Sequence, residues 1–280
     1  MKTRGKAGAR IRKHWYRRVK EHACSFFGLC QRAVSRTART RSGRARSCLG
    51  FDAYEFWSWQ DVNGDFCAQV HAQTGIRCAG MCMPGVPRLD TDPDGNFVKG
   101  LEETIALCKK MNCSNIIMQA GDEREGISRK LQHAGLLEGL KMCAPYAEKA
   151  GITLLLEPLN TKVDHPGYYL TEAREAFELV EETGSPCVKV LYDLYHQHIT
   201  EGADPDVIVS NIHRIGHFHL AGCPGRHEPL ILDKIDTAGI LRAIARSNYQ
   251  GLVGLEYLPV LAADESLRMT RKKLEEIFEK

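Results

Sequence analysis

At 280 residues, with 43% hydrophobic and 26% charged side chains, the chain is long enough to bury a substantial core and has the composition of an ordinary globular protein. It contains no stretch of about 18 apolar residues, the length a membrane-crossing helix requires. The net charge of +3 is unevenly spread: residues 1–49 hold 15 Lys and Arg against a single acid, Glu21, so the remainder is net acidic.

Residues 1–49 therefore read as a basic arm, and residues 50–280 as the folded domain. Such an arm suits nucleic acid or an anionic membrane surface, or an Arg-rich transit sequence. The eleven cysteines are scattered and form no CxxC pair, so reduced thiols in a cytoplasmic protein are expected.

From residue 50 a short apolar run alternates with a helix-like segment. Strands are expected at 52–57, 76–81, 115–119, 152–157, 187–193, 215–220 and 252–257. Helices are expected near 60–74, 98–112, 126–150, 171–184, 204–213, 235–248 and 264–279, where apolar residues recur at three- and four-residue spacing. Thr171 marks a helix start, and Gly151 and Gly184 mark helix stops. This alternation predicts an α/β fold with a parallel sheet. Seven units in about 230 residues favour a (β/α)8 TIM barrel. Its first βα unit would have to come from the basic arm, where residues 22–30 hold the one apolar run.

In such a barrel the chemistry sits at the C-terminal ends of the strands. The polar residues ending the last four are Glu157, Asp193, His219 and Glu256. Three carboxylates and one imidazole brought to one mouth suit a divalent cation, Mn2+ or Mg2+ first, with Co2+ or Zn2+ as further options. A bound cation would also explain why mutually repelling acids cluster. His217 shares a face with His219 one layer deeper, which predicts a buried hydrogen-bonding role. Glu55 ends the first visible strand and is read equally as a mouth residue or a structural ion-pair partner. Trp57 and Trp59 are expected to wall the pocket or cap the barrel. His227 and Glu228 are read as substrate contacts or as a solvated loop pair.

The stretches "LLLEPLNTKVDHPGYYLT", "LYDLYHQHITEG", "GHFHLAGCPGRHEP" and "GLEYLP" resemble hydroxypyruvate isomerase-like members of the sugar isomerase/epimerase, or xylose isomerase-like, TIM barrels. The resemblance runs from about Gly50 to the C-terminus. It implies one divalent metal held by Glu157, Asp193, His219 and Glu256, with His196 and Arg226 as substrate-binding residues. The implied reaction moves a carbonyl between adjacent carbons of a small anionic hydroxy-keto acid or sugar, of the hydroxypyruvate to 2-hydroxy-3-oxopropanoate type. That chemistry needs an enediolate stabilised by a Lewis acid and a carboxylate proton shuttle, for which Glu157 and Glu256 are the candidates. Arg226 would clamp an anionic group. A homo-oligomer is compatible with the resemblance. Alternative readings are a ketose 3-epimerase on the same scaffold, an endonuclease IV-like barrel, and a non-enzymatic barrel that binds nucleic acid through its arm. The chain departs from the family pattern in the basic arm and after Pro229, where "LILDKID" replaces a Gly-Thr-Gly-Glu-like turn and puts the placement of Arg226 in question.

Overall fold

The structure, a computed structural model, describes residues 50–51, 53–57, 63–231 and 233–279. Expectations for residues 1–49, including a first βα unit, and for Trp59 lie outside the described residues. In chain order the elements are β1 (Ala53–Phe56), α1 (Gly64–Thr74), β2 (Arg77–Cys82), α2 (Asn96–Met111), β3 (Asn115–Gln119) and α3 (Arg129–Ala150). There follow β4 (Thr153–Glu157), α4 (Ala173–Thr183), β5 (Val188–Asp193), α5 (Leu194–Thr200), α6 (Pro205–Ser210) and a 3-10 turn (Ile212–Arg214). The chain continues through β6 (Ile215–Leu220), α7 (Thr237–Arg246), β7 (Leu252–Leu255) and α8 (Ala263–Glu279).

All seven strands are parallel, and each pairs with its neighbours in sequence, in the order β1 to β7. Both faces of such a sheet are covered, which is why its strands read as continuous apolar runs rather than alternating ones. The outward residues, such as Leu154, Leu156, Val188, Val190 and Phe218, pack with Leu136 and Leu140 of α3, Phe177 of α4 and Ile240 of α7 in one large core. Full burial of each such side chain contributes about 1.5–3 kcal/mol. The inward residues Ile117, Leu155 and Leu191 form a second, smaller cluster. Ala53, Ala79 and Leu252 form a third, so residues of β1 and β7, the two outer strands of the ladder, pack together. The sheet is thus curled into a barrel wall.

The helix boundaries follow local chemistry with two exceptions. Asn63 and Ser128 cap α1 and α3 through their side chains, and Gly151 and Gly184 end α3 and α4 in the left-handed conformation. The start expected at Thr171 falls instead at Ala173, whose N–H is accepted by Glu201 Oε1 at 3.1 Å, a partner far along the chain. Helix α5 follows β5 without a turn and is capped by Asp193, the strand's own last residue. Gly139 permits a close approach of α3 to the chain before it, because a Cβ there would meet the Pro87 carbonyl oxygen at 1.9 Å.

Candidate metal centre

Side chains along a strand alternate between faces, so the residue two beyond an inward core residue also points inward. That rule carries Leu155 to Glu157 and Leu191 to Asp193, and it aligns His217 with His219 on β6. Glu157, Asp193 and His219 lie at or near the ends of β4, β5 and β6, and Glu256 directly follows β7. All four are buried, with exposures between 0 and 6%. One ligand-type atom from each lies within 4.8 Å of the others.

Asp193 divides its carboxylate. Oδ1 accepts from the N–H of Tyr195 at 2.7 Å and of His196 at 3.3 Å, which starts α5. Oδ2 is left facing the cluster, 3.7 Å from both His196 Nε2 and Arg226 Nη2. The His219 ring is used on both edges. Its Nδ1 lies 2.8 Å from Glu256 Oε2 and 3.7 Å from Glu157 Oε1, and its Nε2 lies 2.9 Å from Glu55 Oε2. The other Glu55 oxygen is 2.7 Å from His217 Nε2. His217 is fully buried, as its place on the strand predicts. Glu55 is buried rather than solvent-facing and takes the ion-pair role of its two readings, with His219 on one carboxylate oxygen and His217 against the other.

The two glutamates have opposite surroundings. Glu256 Oε1 accepts from Trp57 Nε1 at 2.6 Å and lies 3.1 Å from Arg226 Nη2. Burial raises its pKa, but His219, Arg226 and the Trp57 hydrogen bond outweigh that and hold it at about 2. Glu157 has no such donors. Burial pushes its carboxyl up to about 7, and repulsion from Glu256 and Asp193 adds to this against the opposing pull of His219. Burial lowers the pKa of His219, yet the facing Glu55 and Glu256 carboxylates carry it well above the ordinary histidine range.

The donor set fits a hard divalent cation. Glu157 Oε1 and Asp193 Oδ2 are buried and have no hydrogen-bond donor among the described residues. An uncompensated buried carboxylate oxygen is costly. Three carboxylates and one imidazole nitrogen converging at this spacing would satisfy each other through a cation.

The remaining expected residues border the same cluster. His196 is buried, and its Nδ1 accepts from the backbone N–H of Asn160 at 3.3 Å and faces the Asn160 side-chain amide at 2.7 Å. Since a backbone N–H can only donate, the proton of neutral His196 sits on Nε2, which makes that atom a hydrogen-bond donor on the site side. The same atom has no hydrogen-bond partner among the described residues, and burial holds the ring's pKa below the usual value. Arg226 lies inside the site despite the altered loop. Its φ of 56° is in the left-handed region, and its carbonyl accepts from Leu258 N–H at 2.6 Å. Its guanidinium stacks over Tyr195 at 5.4 Å. The "LILD" departure is accommodated because Asp233 ties the loop together, accepting from Cys223 N, Ile235 N and the Thr237 hydroxyl. His227 and Glu228 do not reach the cluster. His227 Nδ1 is 2.8 Å from the Leu258 carbonyl, while Glu228 is buried and accepts from Val260 N, Leu261 N and Ser266 Oγ.

Asn160 and Tyr195 belong to the site although sequence reasoning gave them no role in it, and Trp57, expected as a pocket wall, is there as a hydrogen-bond donor to Glu256. Glu55 carried the signal that found the other acids, a carboxylate at a strand end.

The family model described as "Xylose isomerase-like TIM barrel" matches residues 44–273. The chain belongs to that family. Within it, a relative named hydroxypyruvate isomerase from Escherichia coli (strain K12) is 32% identical over 187 residues, which cover 67% of this chain and 69% of the relative. A 2-oxo-tetronate isomerase from Cupriavidus necator is 31% identical over 200 residues, covering 71% and 75% respectively. Among solved structures, one titled as an AP endonuclease of family 2 from Brucella melitensis superposes with a TM-score of 0.78 over 90% of this chain and 98% of its own. At 23% identity that likeness speaks for the TIM-barrel fold alone. The xylose isomerase-like chain described here is an isomerase of the hydroxypyruvate isomerase-like kind.

Proposed function

We propose that this chain is a divalent-metal-dependent isomerase that moves a carbonyl between adjacent carbons of a small hydroxy-keto acid, of the hydroxypyruvate to 2-hydroxy-3-oxopropanoate type. The observation that carries the reading is the convergence of Glu157, Asp193, His219 and Glu256 on one buried cluster, in which Glu157 Oε1 and Asp193 Oδ2 have no donor among the described residues. The names of the two relatives, both isomerases of small oxo acids, support the substrate class.

Glu157, Asp193, His219 and Glu256 would hold the cation, which when bound supplies Lewis-acid polarisation of the substrate's adjacent oxygens. The residues do the rest. One glutamate takes a proton from the hydroxyl-bearing carbon and the pair returns a proton to the former carbonyl carbon, while the hydroxyl proton passes to the former carbonyl oxygen, so the product has the same atoms as the substrate. Glu157 and Glu256 face the same imidazole from the ends of two different strands, which places a carboxylate on either side of the site for taking and returning the proton. His196 Nε2–H donates to a substrate oxygen. Arg226 commits Nη2 to Glu256 and Asp193, which leaves its other N–H groups for the substrate carboxylate.

The test is to strip metal with chelator, restore Mn2+ or Mg2+, and assay hydroxypyruvate beside 2-oxo acids of four carbons and a panel of ketoses. Metal-dependent turnover of an oxo acid is expected, with a loss of at least a hundredfold in Glu157→Gln and in Glu256→Gln, the lower end of acid–base catalysis. Full activity in either variant, or activity confined to ketose epimerisation, overturns the proposal.

A further inference from the structure

Glu55 is the buried acid that the mechanism above leaves unused. It is 1% exposed, and the side chains it faces are two imidazoles rather than a Lys or Arg. His217 and His219 stand on the same face of β6, and Glu55 reaches both from β1, a strand that is not a ladder neighbour of β6. One carboxylate oxygen serves each ring, at 2.7 Å and 2.9 Å. A carboxylate this deep is expensive unless its placement does something.

We propose that Glu55 is a positioning residue for the metal centre: it accepts the Nε2 proton of His219 and so turns the Nδ1 lone pair of that ring toward Glu157 and Glu256, while His217 clamps its other oxygen. With Nε2 as the protonated edge, the edge available for a cation is the one that lies 2.8 Å from Glu256 Oε2. Imidazole ligands in general depend on such an acceptor for tautomer, ring orientation and basicity. Glu55, His217 and His219 also bring ligand-type atoms within 4.8 Å of one another. The 2.9 Å contact between His219 Nε2 and Glu55 Oε2 is a hydrogen bond, His217 Nε2 lies 2.7 Å from the other oxygen, and both rings and the acid are sealed from solvent. The positioning role is therefore the one the geometry favours over a second ion.

This inference rests on the metal-binding part of the proposed function and not on the substrate. The test is Mn2+ binding to the full chain, measured by titration calorimetry and by Mn2+ electron paramagnetic resonance, together with metal-free melting curves. The wild type should bind one Mn2+. Glu55→Gln should keep a metal-free melting temperature close to the wild type and bind Mn2+ about 10- to 100-fold more weakly, with an altered resonance spectrum. His217→Gln should weaken binding in the same direction by a smaller factor, and it carries the test if Glu55→Gln does not fold. Mn2+ affinity within twofold of wild type in both variants overturns the proposal. So does a wild type that binds two Mn2+ where Glu55→Gln binds one. A wild type that binds no Mn2+ removes the metal reading and this inference with it. A wild type that binds Mn2+ but converts no oxo acid overturns only the substrate assignment.

Discussion

Trp57→Phe isolates one hydrogen bond in the proposed catalytic pair. The substitution keeps an aromatic ring and removes the Nε1–H that donates to Glu256 Oε1 at 2.6 Å. A hydrogen bond to a charged acceptor is worth about 1.5–3 kcal/mol. Trp57 is 53% exposed, so water can take the place of the lost donor, and Arg226 Nη2 remains 3.1 Å from the same oxygen. The low end, about 1.5 kcal/mol, therefore applies, and this corresponds to a roughly tenfold loss in kcat/KM. Steady-state kinetics at saturating Mn2+, with a melting curve in parallel, would measure it. The melting temperature should move little, because the ring remains. A kcat/KM within twofold of wild type would refute the claim that Trp57 holds Glu256 in its working position.

Gly139→Ala should destabilise the fold by about 1–3 kcal/mol through overpacking against the Pro87 carbonyl, lowering the melting temperature by several degrees even though alanine is the better helix former. An unchanged melting temperature would show that α3 can shift at no cost. Asp193→Asn should keep the cap of α5, since Asn and Asp cap about equally well, and so keep the metal-free melting temperature. A saturating cation at about 100 times its dissociation constant should stabilise the wild type by about 2.7 kcal/mol, and calorimetric scans should show that rise disappear in Asp193→Asn. Burial raises the pKa of Glu228, but the Ser266 hydroxyl and the backbone N–H groups of Leu261 and Val260 outweigh it and hold the carboxyl below its usual value. Its stabilising contribution is therefore present above the unfolded-state pKa and is lost as pH falls through the folded one. Melting curves between pH 7 and pH 3 should show a shallower acid loss for Glu228→Gln, and identical slopes would refute that role.

The seven strands were legible because a strand buried on both faces is a continuous apolar run bounded by turn residues, and β3 and β6 begin and end where the runs at 115–119 and 215–220 do. Helix α5 was hidden because no breaker separates it from β5; Asp193 is both the strand's last residue and the helix cap. The start of α4 was misplaced because its cap comes from Glu201 rather than from a neighbour. In the site, the four strand-end residues that come together are the ones their position announces. Asn160, Trp57 and the role of Glu55 depend on partners 36, 199 and 164 residues away, and no local pattern encodes such pairings. The "LILD" stretch looked like a disruption because the residue that repairs it, Asp233, works through side-chain bonds to Cys223, Ile235 and Thr237.

Two of the contacts described above, Glu55 with His219 and Trp57 with Glu256, join the first strand of the ladder and the residue after it to the far end of the same sheet. The proposed reaction centre is therefore also a latch across the side where β1 and β7 approach each other. A variant that disarms the chemistry at Glu256 would at the same time loosen the scaffold, reversing the usual trade in which active-site residues are kept at a cost in stability. Selection for a sturdier barrel and selection for turnover would then pull this position in one direction, and amide exchange in β1 and β7 should quicken when the latch is cut.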